Sequence, residues 1–374
     1  MGIGKSIRKL TDKINKKTTY LALNFGEKKK IKDPRRKKIY DSVNLSDEQQ
    51  KEIQDFFEEN YGKKIDLRWH KLYQSFTGKY DKKYFPEILF STMLEPRLSN
   101  RKIASLFTDK SMVELLYKSI DGLYIPSTTL VCCSGIFYDS DRNVITKEFA
   151  LEILNNCGKK IIKKTVDTSS GRGVLIVNIE NGMDIKNNLT VEKLLEQFGN
   201  NFIVQELITN SNDIRKIYNK SLNTIRVITY IVDGKLYHLP LAMRVGQNGN
   251  EVDNIHAGGM FIGVSDNGEL MDNAFTEFQN IYKEHPDSGV KFKGYKIHGI
   301  NNVINIAYKC HGRTPHLRMI SWDFTIDNND RVVLIEVNLN GQSIWFPQMA
   351  NGKSAFGDNT EYMLKLISKK RKKD

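Results

Sequence analysis

Two segments near the C-terminus constrain this chain most. Met319–Ile326 (Met-Ile-Ser-Trp-Asp-Phe-Thr-Ile) and Val332–Asn338 (Val-Val-Leu-Ile-Glu-Val-Asn) are rich in β-branched and aromatic residues. The polar stretch Asp327–Arg331 joins them, so together they read as a hairpin. Each strand carries a carboxylate inside an apolar run, Asp323 in one and Glu336 in the other. An unpaired charge in such a setting is costly, so each needs a partner. Glu336 and Asn338 are two apart and share a face. Paired across the hairpin with Asp323, they bring three oxygen-bearing side chains together. Two carboxylates and an amide oxygen suit magnesium, a hard cation usually shared with substrate phosphates. Alternating residues facing water would give the same spacing but not the apolar surroundings.

The rest of the chain must supply a core around that hairpin, and at 374 residues it is long enough for two or three sub-domains. Ser46 and Gln49 form a capping-box start, and residues 45–121 read as helical, with a second helical stretch from Leu106 to Ile120. Residues 122–144 read as a turn and a strand. From Gly158 short strands take over: Lys159–Val166, Val174–Ile179 and Phe202–Ile208, with a helix at Val191–Phe198 capped by Thr190. Asn223–Val232 and Lys235–Val245 read as strands joined at Asp233-Gly234, a hairpin signal. Residues 299–311 and 358–368 read as helices.

The net charge of +13 suggests nucleic acid until it is divided along the chain. Residues 1–38 hold 14 Lys/Arg against 3 acids, and residues 368–374 hold 5 against 1, which leaves a net of −2 for the rest. The body is near neutral and no nucleic-acid partner is expected. Ile3, Ile7, Leu10 and Ile14 form one helical stripe among Lys5, Arg8, Lys9, Lys13, Lys16 and Lys17. Such a helix suits an anionic membrane surface, and a solvated basic arm accounts for it equally. No run approaches the roughly 20 apolar residues of a membrane span. The charged N-terminus argues against a secretory signal. The four cysteines make neither a zinc spacing nor a disulfide framework, so a cytoplasmic setting is expected, peripheral to the inner membrane face if the basic ends bind lipid.

Three further segments carry chemistry. The loop Thr168-Ser169-Ser170-Gly171-Arg172-Gly173 lies between two strands, where glycine backbone N–H groups and hydroxyls can cradle phosphate. Lys163, on the strand before it, can reach the same phosphates. A plain glycine hairpin would look alike. The strand end Val204-Gln205-Glu206-Leu207-Ile208 offers backbone groups to a base. His256, in Asn254-Ile255-His256-Ala257-Gly258-Gly259, can act as a proton acceptor near a substrate, with paired glycines allowing close approach. A histidine capping a turn fits the same residues.

The order of these pieces, from Asp109-Lys110 through Lys163, the glycine loop, the hinge and Arg226 to Asp323…Glu336-x-Asn338, resembles the ATP-grasp superfamily of the D-alanine–D-alanine ligases. Ser221–Thr229 (Ser-Leu-Asn-Thr-Ile-Arg-Val-Ile-Thr) and Asp253–Gly259 narrow the resemblance to the sugar-transfer-associated group, over roughly residues 85–366. The resemblance implies an α+β fold of two lobes clasping ATP, preceded here by a helical extension. The boundaries that follow are a basic tail at 1–38, a helical region at 39–144, a small lid at 145–208, a C-terminal subdomain with the metal site at 209–366 and a basic tail at 367–374.

The resemblance also implies roles. Lys110 and Lys163 would contact ATP phosphates, and Ser169, Ser170, Gly171, Arg172, Gly173 and Val174 would close over them. Gln205, Glu206, Leu207 and Ile208 would hold adenine, and Asp213 the ribose. Asp323, Glu336 and Asn338 would bind Mg2+, and Arg226 would stabilise the transferring phosphoryl group. The chain departs from the pattern at Lys163-Lys164, where Lys-Pro is usual, and at Ser321, where the D-alanine ligases place an oxyanion-binding arginine; Arg244 or Arg226 would substitute. Residues 1–84 have no counterpart. The implied activity is an ATP- and Mg2+-dependent ligation of a small-molecule carboxylate and an amine, sugar- or lipid-linked, in cell-surface polysaccharide synthesis. A kinase acting on a hydroxyl, or a non-catalytic nucleotide-binding protein at the membrane, keeps the same residues.

Overall fold

The computed structural model describes residues 2–100, 103–104, 107, 109–166 and 173–368; the side chains of residues 2–10, 12 and 13 lie outside the description. Ser169, Ser170, Gly171 and Arg172 of the expected phosphate loop, and the tail from 369, lie outside it too.

The fold is α+β, with two sheets. The smaller contains β1 (Thr128–Cys133), β2 (Gly158–Lys164), β3 (Val174–Glu180) and β4 (Phe202–Glu206), in the spatial order β1-β4-β2-β3. Ile162, Val177, Val204 and Phe202 point to one side and pack on the helices Lys147–Leu154 and Val191–Phe198. Thr190 caps the second helix by accepting from the Lys193 N–H. This sheet begins at Thr128 rather than near residue 145, because β1 pairs with β4. The segment expected to hold one strand holds several, Ile136–Tyr138 and Val144–Ile145 completing that edge.

The larger sheet contains β5 (Thr224–Val232), β6 (Leu241–Val245), β7 (Met260–Val264), β8 (Met319–Ile326) and β9 (Val332–Asn338), in the order β9-β8-β5-β6-β7. Lys235–Val245 does not run as one strand; it breaks between His238 and Leu241, at Pro240, which has no N–H to give a ladder. Alternation splits this sheet cleanly. Ile320, Trp322 and Phe324 of β8, with Ile225 and Val227 of β5, pack on the helix Ile300–His311. The opposite face carries Ile228, Tyr230 and Met319 against N-terminal helices, and beside them the polar residues of the cleft.

Those helices are the part without a counterpart in the resemblance. They include α1 (Gly2–Ile31), α2 (Pro34–Asp41) and α3 (Asp47–Asn60). Ser46 and Gln49 form the expected capping box on α3, each side chain accepting from the other's backbone N–H. The basic segment 1–38 is not a free tail throughout. Glu27, Ile31 and Arg36 are buried, and Ile31 joins a core with Trp69, Tyr73, Phe261 and Trp345. The second expected helix is shorter, Met112–Tyr117 among the described residues. No described helix is long and apolar enough to cross a membrane.

Candidate active site

The site grows from one row across three strands. Arg226 of β5 pairs with Asp323 of β8, and Asp323 with Glu336 of β9. Directly paired residues share a face, so all three point to the same side. Asn338, paired with Ser321, stands one step along that face. The register holds a feature that alternation alone does not give. Phe324 pairs with Leu334 while Asp323 pairs with Glu336, so Ile335 is an extra, bulged residue. Without it Leu334 and Glu336 would share a face; with it Leu334 enters the core and Glu336 faces the cleft.

Asp323 is fully buried and heavily bonded. It accepts from Arg226 Nε at 2.5 Å and Nη2 at 3.1 Å, from Asn338 Nδ2 at 3.2 Å, and pairs with Arg244 Nη2 at 3.1 Å. Burial opposes its charge, but the two guanidinium groups outweigh that and hold its pKa below the ordinary value. Arg244 also reaches Thr224 Oγ1 at 2.8 Å and lies 3.4 Å from Asp253. Thr224 in turn donates to Asp253 Oδ2 at 2.5 Å. Burial raises the Asp253 pKa against the pull of Arg244. Ser321 is buried; Arg226 reaches Asp323 from the adjacent strand β5, and Arg244 from β6, the strand beyond it.

Across the cleft, β2 presents Ile161 and Lys163 inward while Ile162 enters the core, so Lys163 rather than Lys164 lines the cleft. Lys163 has no ion-pair partner among the described residues. Burial, with repulsion from Lys110, pushes its pKa down to about 8, although Glu336 pulls the other way. Lys110 sits just before the Met112–Tyr117 helix, its N–H bonded to the Thr165 carbonyl at the end of β2. Its ammonium meets Glu336 Oε1 at 2.9 Å, joining the two sides. Gly173 closes the β2–β3 turn with φ +72, and Val174 lines the cleft.

The enclosed volume is about 590 Å³, within the usual range for a small-molecule site. Lys110, Lys163, Val174, Leu207, Ile208, Arg226, Arg244, His256, Asp323, Glu336 and Asn338 all line it. Three expected residues are used elsewhere. Gln205 Nε2 donates to the Pro126 carbonyl at 3.1 Å and lines a smaller hollow behind Lys163. The Glu206 carboxylate accepts from Tyr124 Oη and the Ser127 N–H, and its backbone N–H donates to the Ser127 carbonyl. Asp213 is not brought to the cleft: its carboxylate lies 2.7 Å from His298 Nδ1. The short helix Asn212–Ile217 turns it away, which spacing from the hinge could not reveal.

His256 stands at the mouth, half exposed, with Nδ1 2.8 Å from Glu277 Oε2. The other Glu277 oxygen takes Arg36 at 2.8 Å, so α2 reaches into the site's edge. Gly259 serves the chain rather than a ligand. A Cβ there would lie 2.5 Å from the Asp253 carbonyl, so the glycine lets the turn close and set Asp253. The sequence assigns Asp253 and Thr224 no role, although both lie inside the family-like segments Ser221–Thr229 and Asp253–Gly259; their meeting depends on β5 lying beside β6.

Asp323, Glu336 and Asn338 stand on one face, the set of residues that would hold a magnesium ion shared with phosphates. No group of three His, Cys, Asp or Glu able to hold a metal exists among the described residues. Two carboxylates and an amide on one face instead suit an ion shared with phosphates, and the cations of Lys110, Arg226 and Arg244 already stand at those carboxylates.

A model of the sugar-transfer associated ATP-grasp family matches residues 89–362. Among curated proteins no sequence match is found. Similar solved structures include D-alanyl-alanine synthetase A from Vibrio cholerae, at 14% identity and TM-score 0.39, covering 71% of this chain and 65% of that one. A D-Ala:D-Ser ligase from Enterococcus faecalis gives 16% identity and TM-score 0.42, covering 71% and 62%. N5-carboxyaminoimidazole synthetase from Staphylococcus aureus, complexed with ADP, gives 11% and 0.39, covering 72% and 54%. The chain thus spans between about half and two thirds of the length of these proteins, and the assignment below rests on the family match.

Proposed function

The chain belongs to the sugar-transfer associated ATP-grasp family, and from that premise we propose that it is an ATP- and Mg2+-dependent ligase. It joins a carboxylate to an amine through an acyl phosphate, on a sugar- or lipid-linked substrate of cell-surface polysaccharide synthesis. The observation that carries this reading is the row Arg226-Asp323-Glu336 on one sheet facing Lys163 and Lys110 on the other side of the same cleft.

A carboxylate and a γ-phosphate repel each other, and the site must neutralise both before they can react. Lys163 and Lys110 lie where they can receive the phosphates, while Leu207 and Ile208 line the cleft where the base would lie. Magnesium held by Asp323, Glu336 and Asn338 would supply charge neutralisation at the β- and γ-phosphates. Arg226 and Arg244, fixed by Asp323, present guanidinium groups to the transferring phosphoryl and the developing oxyanion, the role the D-alanine ligases give to the arginine replaced by Ser321. Because an acyl phosphate hydrolyses readily, the site must keep water from it, the role that the family resemblance gives to residues 169–174. His256, held through Nδ1 by Glu277, keeps Nε2 for the proton of an attacking amine.

The test is to incubate the full chain with ATP, Mg2+, pooled nucleotide sugars and amino acids, and to follow the products by mass spectrometry. The expected product combines a sugar acid and an amine with loss of water, with free phosphate released in step. A stable phosphate ester formed without an amine would replace the ligase reading by a kinase. Turnover unaffected by Glu336→Ala would remove the enzyme reading altogether.

A further inference from the structure

Helix α1 turns its apolar stripe away from the protein. In the half whose side chains are described, Ile14, Leu21 and Phe25 follow seven- and four-residue steps, so they lie along one side of the helix. All three are exposed, Phe25 by 72%. Glu27 and Ile31 are buried, Glu27 on the far side of the helix from that stripe and Ile31 on its flank, about a quarter turn round. They dock α1 onto the protein: Ile31 enters the core beside Trp69 and Tyr73, and α1 packs on the Glu87–Leu89 turn and the segment after it. The body therefore does not cover the stripe.

The charges say what does. Lys17, Lys28 and Lys29 flank the stripe and are exposed. The one acid among the described side chains of α1, Glu27, faces inward and pairs with Lys30 at 2.6 Å. A second copy of α1 laid on this stripe would set lysines against lysines. An anionic lipid surface complements both features, taking the apolar side chains below the headgroups and the lysines among the phosphates. We infer that α1 is an interfacial helix that seats this protein on an anionic membrane through Ile14, Leu21 and Phe25. The spacing of Ile3, Ile7 and Leu10 in the sequence continues the same repeat. This does not rest on the ligase reading, since the occupant is read from exposure and charge alone.

The test is co-sedimentation of the full chain with phosphatidylglycerol-containing vesicles and with pure phosphatidylcholine vesicles. Binding to the first, weakened by raised salt, is expected. The triple variant Ile14→Asp, Leu21→Asp, Phe25→Asp should lose binding by about tenfold or more, and Lys17→Glu, Lys28→Glu, Lys29→Glu should lose it as well. Both variants should keep the native circular dichroism and ATP hydrolysis in solution, because none of the six residues lines the cleft. Absence of binding, equal binding to neutral vesicles, or binding retained by the triple variant would each overturn the inference. A solution dimer broken by the triple variant, with no vesicle binding, would overturn it in favour of a second copy as occupant.

Discussion

The two sides of the cleft are built on opposite terms. On the large sheet every charge is already answered: Asp323 by Arg226, Arg244 and Asn338, and Asp253 by Thr224 and Arg244. On the small sheet Lys163 is as buried as Arg226 yet has no ion pair among the described residues. Burial costs the first side little, because partners offset it, and on the second it opposes a charge that no partner offsets. The difference teaches which side is finished before a ligand arrives. The large sheet holds a fixed template; the small sheet holds a cation that an anionic ligand would complete.

Removing Asp323 should break the comparison most severely. Asp323→Ala leaves two buried guanidinium groups facing each other, so chemical denaturation should show a loss of about 3–5 kcal/mol and phosphate release should vanish. Glu336→Gln tests the exposed end of the same row. Turnover should fall by about 10²-fold or more, while the denaturation midpoint stays nearly unchanged, since Glu336 is a third exposed and its partner Lys110 can turn to water. Equal destabilisation by the two variants would show that the row is structural throughout.

Lys163→Met should abolish turnover and yet stabilise the protein at neutral pH. The sign follows from the pKa. The folded value of about 8 lies below the ordinary 10.5, so the cost of the buried charge is fully present below pH 8. It is relieved as pH rises from 8 toward 10.5, where the folded state has shed the proton and the unfolded chain has not. The advantage of Lys163→Met should therefore shrink across that window, from a gap on the order of 3 kcal/mol. A gap independent of pH would mean that Lys163 is not the group responsible. The smallest effect is proton uptake. Nucleotide phosphates should restore the charge on Lys163, so binding near pH 8–9 should take up protons, seen as a calorimetric enthalpy that varies with buffer ionisation. Lys163→Met should remove that variation.

Much of this was legible in the sequence because it is local. The β8–β9 hairpin and the Ser46–Gln49 capping box follow from periods of two residues or three-residue steps. The regions misread are those where contact overrides local pattern. Met260–Val264 and Leu270–Phe275 carry no clear strand signal in the sequence, yet they extend the large sheet. Gly263 interrupts the first, and there it is needed: a Cβ would lie 2.6 Å from Asn351 Oδ1 on the helix packed over it. The Gly258-Gly259 pair looked like an approach path for a ligand and instead brings the chain close to itself.

The sequence by itself determined that Asp323 and Glu336 would sit in apolar strands and need partners, because residue type and alternation require no knowledge of the rest of the fold. Which partners they found was decided only in three dimensions. Arg226 and Arg244 come from strands 97 and 79 positions away along the chain, and strand pairing alone brings them to Asp323. Glu336 reaches the cleft because a single bulged residue, Ile335, shifts the register between β8 and β9. A period of two can say that neighbouring residues face opposite ways; it cannot say where the count is interrupted, because the interruption is set by the strand alongside.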